Sequence, residues 1–386
     1  METPNCLIIA GEKSGEEHAI SFFDDISKDC DKLEFWGVGG ELLKEKGVSL
    51  LYHLKDFSSW GFSEVIFKIP FYKKALEKME SEVERRGTKV AILIDFQDFN
   101  LRLAKRLSKK GVRILYYVAP QAWAWKPWRA KALEKAVHTL FTIIPFEKKW
   151  FNDRGVKRVY GVNHPVYLTY KEELSRELPE RSFESMEDEI NLLILPGSRN
   201  FEVKNLLPEY IKSLINLRKK RKVRALLVKS PNVDEKLYEP YAKYFDEIYP
   251  DTSLTTALKK AHLCLAASGT VTLTCSLFEV PTIVCYKTSL LNEFIFYTFV
   301  NYKGFISLAN IVHEEEVYPE LIQERVDQTN LNKQLEKWCN SREAYSALKS
   351  KLKLTKEMLK GDGSNPGLYM AEVINEAYSK KRASSC

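Results

Sequence analysis

Two kinds of chemistry can be read from side-chain types and their spacing. The first is anion recognition. Leu192-Leu193-Ile194-Leu195 reads as a buried strand, Pro196-Gly197-Ser198-Arg199 breaks it sharply, and Glu202 and Val203 open a new apolar-periodic segment. Such a strand-to-helix turn offers small residues, backbone N–H groups and a helix N-terminus, and Arg199 adds a full positive charge, a combination that suits a diphosphate. An ordinary βα turn with a surface arginine would look the same, but Ala267-Ser268-Gly269-Thr270 repeats the arrangement between another apolar strand and another helix. The second chemistry is proton transfer. Val90–Ile94 is a buried strand that runs straight into Asp95-Phe96-Gln97-Asp98-Phe99-Asn100. In an open α/β sheet the residue just past a strand's carboxyl end faces the ligand crevice, so Asp95 is the carboxylate best placed for chemistry. Its competing role is a helix cap, a task expected rather of Asp98 or Asn100.

The elements that must position these residues alternate as strand and helix. Strands are expected at Cys6–Ala10, Glu34–Val38, Val90–Ile94, Arg113–Val118, Thr139–Ile144 and Lys157–Tyr160, and again at Leu192–Leu195, Val223–Val228, His262–Ala266 and Thr282–Tyr286. Asn163-His164-Pro165 marks the crossing between the halves, and a polar, acidic linker runs from about 166 to 189. The rhythm implies an α/β protein with two Rossmann-like, doubly wound domains facing a cleft: an N-terminal domain over 1–165, a C-terminal one over 166–354, and a final helix at about 355–386 packing back on the first. Gly11-Glu12-Lys13-Ser14-Gly15 after the first strand is not a P-loop, which needs Gly directly before its Lys, and neither early glycine turn fits a dinucleotide fingerprint.

At 386 residues, 45% hydrophobic and 29% charged, the chain has the composition of a soluble globular protein. A net charge of +7 with scattered Lys and Arg argues for anionic small molecules or an anionic membrane surface, and against a nucleic-acid partner. Seven cysteines without regular spacing imply reduced thiols in a cytosol, and no CxxC or HxxxH pair suggests a metal. Neither a signal peptide nor a transmembrane span is expected. Two stretches carry an unusual aromatic load. Trp123-Ala124-Trp125-Lys126-Pro127-Trp128 is either a structural wedge or a platform for a sugar or acyl group. Between Trp60 and Met79, Phe62, Val65, Ile66, Ile69 and Leu76 fit one helical stripe, whereas Phe67, Phe71 and Tyr72 fall off it among Lys68, Lys73, Lys74 and Lys78, which suits a surface dipping into lipid.

Ala10-Gly-Glu-Lys-Ser-Gly-Glu16, Ile94-Asp-Phe-Gln-Asp-Phe-Asn100, Tyr117-Val-Ala-Pro-Gln-Ala-Trp-Ala-Trp125, Pro145-Phe-Glu147, Leu195-Pro-Gly-Ser-Arg199 and Ala267-Ser-Gly-Thr270 together resemble the lipid-A-disaccharide synthases, in order from about residue 7 to residue 325. The resemblance implies a GT-B glycosyltransferase fold and an inverting transfer from a UDP-2,3-diacylglucosamine donor to 2,3-diacylglucosamine 1-phosphate (lipid X), giving lipid A disaccharide 1-phosphate and UDP at the cytoplasmic face of a Gram-negative inner membrane. Transfer needs a base for the acceptor 6-hydroxyl and charge neutralisation for the departing UDP. Asp95 is then the base, with Glu12 and His18 as alternates. Arg199 and the turns at Ser198 and Ser268-Gly269-Thr270 form the leaving-group clamp, so no metal or other cofactor is expected. Ser14, Gly15, Trp123 and Trp125 would contact substrate, and Asn310, Glu320 and Gln323 lie in a family-like segment that would complete the uridine site. The off-stripe aromatics would meet the membrane, and a homodimer is compatible with the reading. Two departures stand out: Thr274 replaces the family's usual Glu, and a Thr cannot accept two ribose hydrogen bonds as a carboxylate can; Asn163 replaces a Gly before His164-Pro165. A UDP-N-acetylglucosamine 2-epimerase and a non-catalytic UDP-sugar-binding membrane protein are the competing readings.

Overall fold

The computed structural model describes residues 3–30, 32–57, 68–179, 181–288, 304–363 and 365–379. The chain divides into two compact units, Met1–Pro165 with Lys360–Cys386, and Val166–Leu359.

The first unit is a seven-stranded sheet in which every pairing is parallel. Its strands are β1 (Asn5–Ala10), β2 (Glu34–Gly39), β3 (Ser49–His53), β4 (Val90–Ile94), β5 (Arg113–Tyr117), β6 (Thr139–Thr142) and β7 (Val159–Gly161). Their order is β3-β2-β1-β4-β5-β6-β7. Parallel strands are covered on both faces, which is why β1 and β4 read as unbroken apolar runs rather than alternating ones. Alternate residues still divide between two cores. Cys6, Ile8 and Ala10 face one side with Ala19, Phe22 and Ile26 of α1 (Lys13–Asp29). Leu7, Ile9, Ala91 and Leu93 face the other, beneath α2 (Ile69–Arg85), α3 (Gln97–Ser108) and α4 (Arg129–Ala136).

The second unit repeats the plan with six parallel strands. These are β8 (Ile190–Leu195), β9 (Val223–Lys229), β10 (Glu247–Pro250), β11 (Leu263–Ala267), β12 (Thr282–Tyr286) and β13 (Glu320–Ile322), ordered β10-β9-β8-β11-β12-β13. Helix α5 (Asn200–Arg218) follows β8 and α6 (Thr270–Leu277) follows β11. The C-terminal helix α7 (Pro366–Ser379) belongs to the first unit. Met370, Ala371, Val373 and Ile374 join the α1-side core, and the Tyr378 hydroxyl donates to the Asn5 carbonyl at 2.6 Å.

Three strands have no counterpart in the sequence reading: β3, β10 and β13. All are edge strands of their sheets; β10 and β13 are short, and β3, Ser-Leu-Leu-Tyr-His, is only partly buried. No helix among the described residues is long and apolar enough to cross a membrane.

Candidate active site

In a doubly wound sheet, ligands gather where the strand order reverses. In the first unit the reversal lies between β1 and β4, so the loops that open there are Gly11-Glu12 and Asp95-Phe96. Three non-glycine residues in left-handed conformations stand at the ends of β4 and its neighbour β5: Asp95 at φ +47°, Phe96 at +45° and Val118 at +63°. Each costs about 1–3 kcal/mol and persists only because its surroundings enforce it. The enforcement is visible. The Asp95 N–H donates to the Tyr117 carbonyl at 2.9 Å, and the Asp95 carbonyl accepts from Asn100 Nδ2 at 2.8 Å and the Tyr116 hydroxyl at 3.1 Å. Gly11 lies under the Phe96 ring so closely that a Cβ would meet it at 2.9 Å.

Burial, and then the charge of Glu12, raise the Asp95 carboxyl to about 6. The Glu12 side chain is exposed and makes no cap bond to α1. His18 is half-buried with its ring 6.0 Å from that of Tyr117, and burial lowers it to about 4. His164 is buried more deeply and is lowered to about 3, by burial first and then by His18. Both histidines are therefore neutral near pH 7, and a base works best with a pKa near the operating pH, so Asp95 is better matched than His18. Ser14 is exposed in the first turn of α1. Gly15 is buried against Ala10 and Ile94.

Neither Asp98 nor Asn100 caps α3, contrary to expectation, because both serve the loop itself. Asn100 is fully buried and holds the Ile94 and Asp95 carbonyls. Asp98 accepts from Arg129 Nη2 at 2.5 Å, while Arg129 Nη1 reaches Gln97 Oε1 at 2.7 Å. Arg129 has no exposed surface and lies 5.1 Å from the Trp125 ring, so it ties the Asp95 loop to the tryptophan loop. The two tryptophans differ in their surroundings. Trp123 is a wedge: its indole N–H donates to Glu147 at 2.9 Å and its ring meets Phe146 edge-on. Trp125 is exposed, with Lys126 Nζ 3.8 Å from its ring centroid. Burial raises the Glu147 carboxyl to about 7. Sequence reasoning assigned no role to Arg129 or Glu147, and burial of an arginine or a glutamate leaves no periodic signal to find.

In the second unit the order reverses between β8 and β11, and the two turns read as anion sites flank that point. They share a cavity of about 460 Å³ with Lys229 at the end of β9, Ser230 and Asn232 after it, and Asp251 after β10. Gly197 is indispensable to the first turn: it sits at φ +119°, and a Cβ there would lie 2.6 Å from that of Glu202. Ser198, Arg199, Gly269 and Thr270 are exposed, and Ser268 is half-buried. A larger groove of about 680 Å³, beside Arg176 and Lys349, is lined by none of the sequence motifs.

Four residues are expected at the uridine or ribose: Asn310, Glu320, Gln323 and Thr274. Asn310 is completely buried: Nδ2 donates to the Tyr318 carbonyl and to Glu320, and Oδ1 accepts the Val317 and Tyr318 N–H groups. Glu320 accepts from the N–H groups of Ile306 and Ser307 as well. Both side chains are spent shaping the loop that meets Ser268, whose hydroxyl donates to the Ile306 carbonyl at 3.4 Å. Thr274 is buried on α6, hydrogen-bonded to Tyr170, and does not line the cavity. Gln323, at φ +52°, exchanges hydrogen bonds with the Thr288 backbone. Of the membrane segment, Phe62, Val65, Ile66 and Phe67 lie outside the described residues. Phe71 and Tyr72 are half-buried, not projecting. Phe71 packs edge-on against Phe57 at 5.3 Å, and the Tyr72 hydroxyl donates to the Phe57 carbonyl at 2.9 Å. Ile69 is 46% exposed.

Two doubly wound parallel sheets, each with the loops singled out from the sequence gathered at its switch point, define a two-domain α/β protein of the GT-B class. Solved structures share that fold: the calicheamicin glycosyltransferase CalG4 has a TM-score of 0.58 at 12% identity, over 99% of this chain and 100% of that one. The UDP-GlcNAc 2-epimerase of Neisseria meningitidis has a TM-score of 0.52 at 11% identity, over 97% and 100%. The family is more specific. A model described as lipid-A-disaccharide synthetase matches residues 6–372. The lipid-A-disaccharide synthase of Nitrosococcus oceani is 31% identical, covering 93% of this chain and 97% of its own. That of Syntrophus aciditrophicus is 33% identical over 84% and 85%. The chain belongs to the lipid-A-disaccharide synthase family and is a glycosyltransferase.

Proposed function

We propose that the chain transfers a 2,3-diacylglucosaminyl group from UDP to the 6-hydroxyl of 2,3-diacylglucosamine 1-phosphate, with inversion at the anomeric carbon. Asp95 accepts the hydroxyl proton as the acceptor oxygen bonds the donor's anomeric carbon, and the bond from that carbon to UDP breaks. The negative charge gathering on the leaving diphosphate is taken by Arg199 and by the backbone N–H groups of the two turns at the second switch point. The observation that carries this reading is Asp95 itself: a carboxyl at a switch point, fixed in a strained conformation by three hydrogen bonds through its own backbone, with its pKa raised to about 6. Such a group is ionised at neutral pH yet basic enough to take a proton. Both substrates carry acyl chains, so the work is done at a membrane surface. Exposed Ile69 beside exposed Lys73 and Lys74 supports a contact with anionic lipid.

The test is to supply UDP-2,3-diacylglucosamine and 2,3-diacylglucosamine 1-phosphate in detergent. The expected products are the β-1′,6-linked disaccharide and UDP in equal amounts. Release of UDP without disaccharide, or epimerisation of UDP-N-acetylglucosamine in its place, would reject the assignment.

A further inference from the structure

Glu202 stands in the first turn of α5, three residues beyond Arg199, with its side chain 16% exposed. Both carboxylate oxygens are engaged. One accepts the Ser198 N–H at 2.9 Å, and the other accepts Arg199 Nη1 at 2.9 Å. The carboxylate reaches this position by lying over Gly197, in space that only a glycine leaves open. It therefore rests on the same donors that the proposed function gives to the diphosphate. A backbone N–H has one hydrogen to donate, so the Ser198 N–H cannot serve carboxylate and phosphate fully at once. Arg199 likewise has its charge balanced while Glu202 is paired with it.

We propose that Glu202 is a built-in anion that competes for the phosphate position and yields it to the diphosphate of the UDP-sugar. The proposal rests on the reading of the Gly197–Arg199 turn as the diphosphate site. An entering ligand must displace one carboxylate, which a diphosphate does with several charged oxygens and a single phosphate does poorly. After transfer Glu202 pairs with Arg199 again, which assists the departure of UDP. A glutamate at this helix position can also act as a plain cap, tying back to the residues before the helix. The two roles predict opposite effects of removing its charge. A cap that orients Arg199 strengthens ligand binding, whereas a competing anion weakens it.

Calorimetric titration of UDP and UMP into the full chain distinguishes them. Glu202→Gln is expected to bind UDP roughly tenfold more tightly, the effect of freeing a charge-assisted hydrogen bond. Its preference for UDP over UMP should shrink, and the gain should be smaller in an Arg199→Ala background. Glu202→Ala, which removes the cap as well, should also tighten UDP binding if it stays folded by circular dichroism. UDP affinity equal to or below that of the parent in Glu202→Gln overturns the proposal. If Arg199→Ala alone leaves UDP affinity unchanged, it is the diphosphate reading of the turn that fails. If Arg199→Ala weakens UDP while Glu202→Gln does not tighten it, only the role of Glu202 fails.

Discussion

Asp95 sets activity against stability in one side chain. Its carboxyl rises from an ordinary value of 3.8 to about 6 in the folded chain, through burial and the nearby Glu12 charge. Between those two values the folded state binds more protons than the unfolded one, so the contribution of Asp95 to stability falls as pH climbs through that window. Asp95→Asn removes the penalty. It is expected to lower turnover by about 10²–10⁴-fold while leaving UDP affinity unchanged. It should also raise stability by about 1–3 kcal/mol at pH 7, with no gain at pH 3. Turnover near the parent level would remove Asp95 from the role of base, and a gain over the parent no larger at pH 7 than at pH 3 would remove its raised pKa. The place of Asp95 was legible because a buried apolar run shows where its strand ends. Thr274 was not, because a family pattern gives a residue's position along the chain but not where its side chain is buried. Thr274→Glu would place a carboxylate where only 3% of the residue is exposed, and remove the hydroxyl that meets Tyr170. It is expected to lower the melting temperature, increasingly so as pH rises and the new group ionises. A variant as stable as the parent with tighter UDP binding would restore the ribose contact.

At the scale of elements, the buried strands were readable from apolar runs, whereas the edge strands β3, β10 and β13 were not. β10 and β13 have only four and three residues, each with a charge, and β3, despite Leu-Leu-Tyr at its centre, is only partly buried, so none stands out as a buried run. The same limit applied to α2. Its buried stripe, Ala75, Leu76, Met79 and Val83, follows helical spacing, but the fate of Phe71 and Tyr72 depends on Phe57, which is distant in sequence. Phe57 is fully buried and meets Phe71, Phe96 and Phe99 edge-on at 5.3, 5.8 and 5.2 Å. This cluster links the start of α2 to the residue beside Asp95. Phe71→Ser is therefore expected to cost about 2–4 kcal/mol and to depress turnover even on detergent-dispersed substrate. Membrane contact is tested instead by Ile69→Ser with Lys73→Gln and Lys74→Gln, all exposed. That triple variant should keep the parent's melting temperature within a degree or two, since surface changes cost within about 0.5 kcal/mol each. Its binding to vesicles containing anionic lipid should fall. Unchanged vesicle binding would move the contact elsewhere.

At the scale of the whole molecule, the strand–helix rhythm announced two units, and only the last helix departs from chain order. Helix α7 closes the first unit from the far end of the sequence, and its Met370, Val373 and Ile374 sit in one core with Phe22, Tyr117 and Phe141. Polar ties reinforce it: Arg113 Nη1 reaches Glu376 at 3.0 Å, and the Tyr378 hydroxyl receives the Lys89 N–H at 3.1 Å. Fully burying three such apolar side chains is worth roughly 4.5–9 kcal/mol as an upper bound, at about 1.5–3 each. A whole domain is typically stable by only about 5–15 kcal/mol. Ending the chain after Gly363 is therefore expected to unfold the first unit rather than merely loosen it, and turnover should vanish with Asp95's support. The second unit, Val166–Leu359, contains the complete Gly197–Arg199 and Ser268–Thr270 cavity and none of the residues of α7. It should keep its hydrogen-exchange protection and its affinity for UDP in the truncated chain. If the truncated chain instead loses UDP affinity while the second unit stays protected, the donor site needs residues that the first unit supplies.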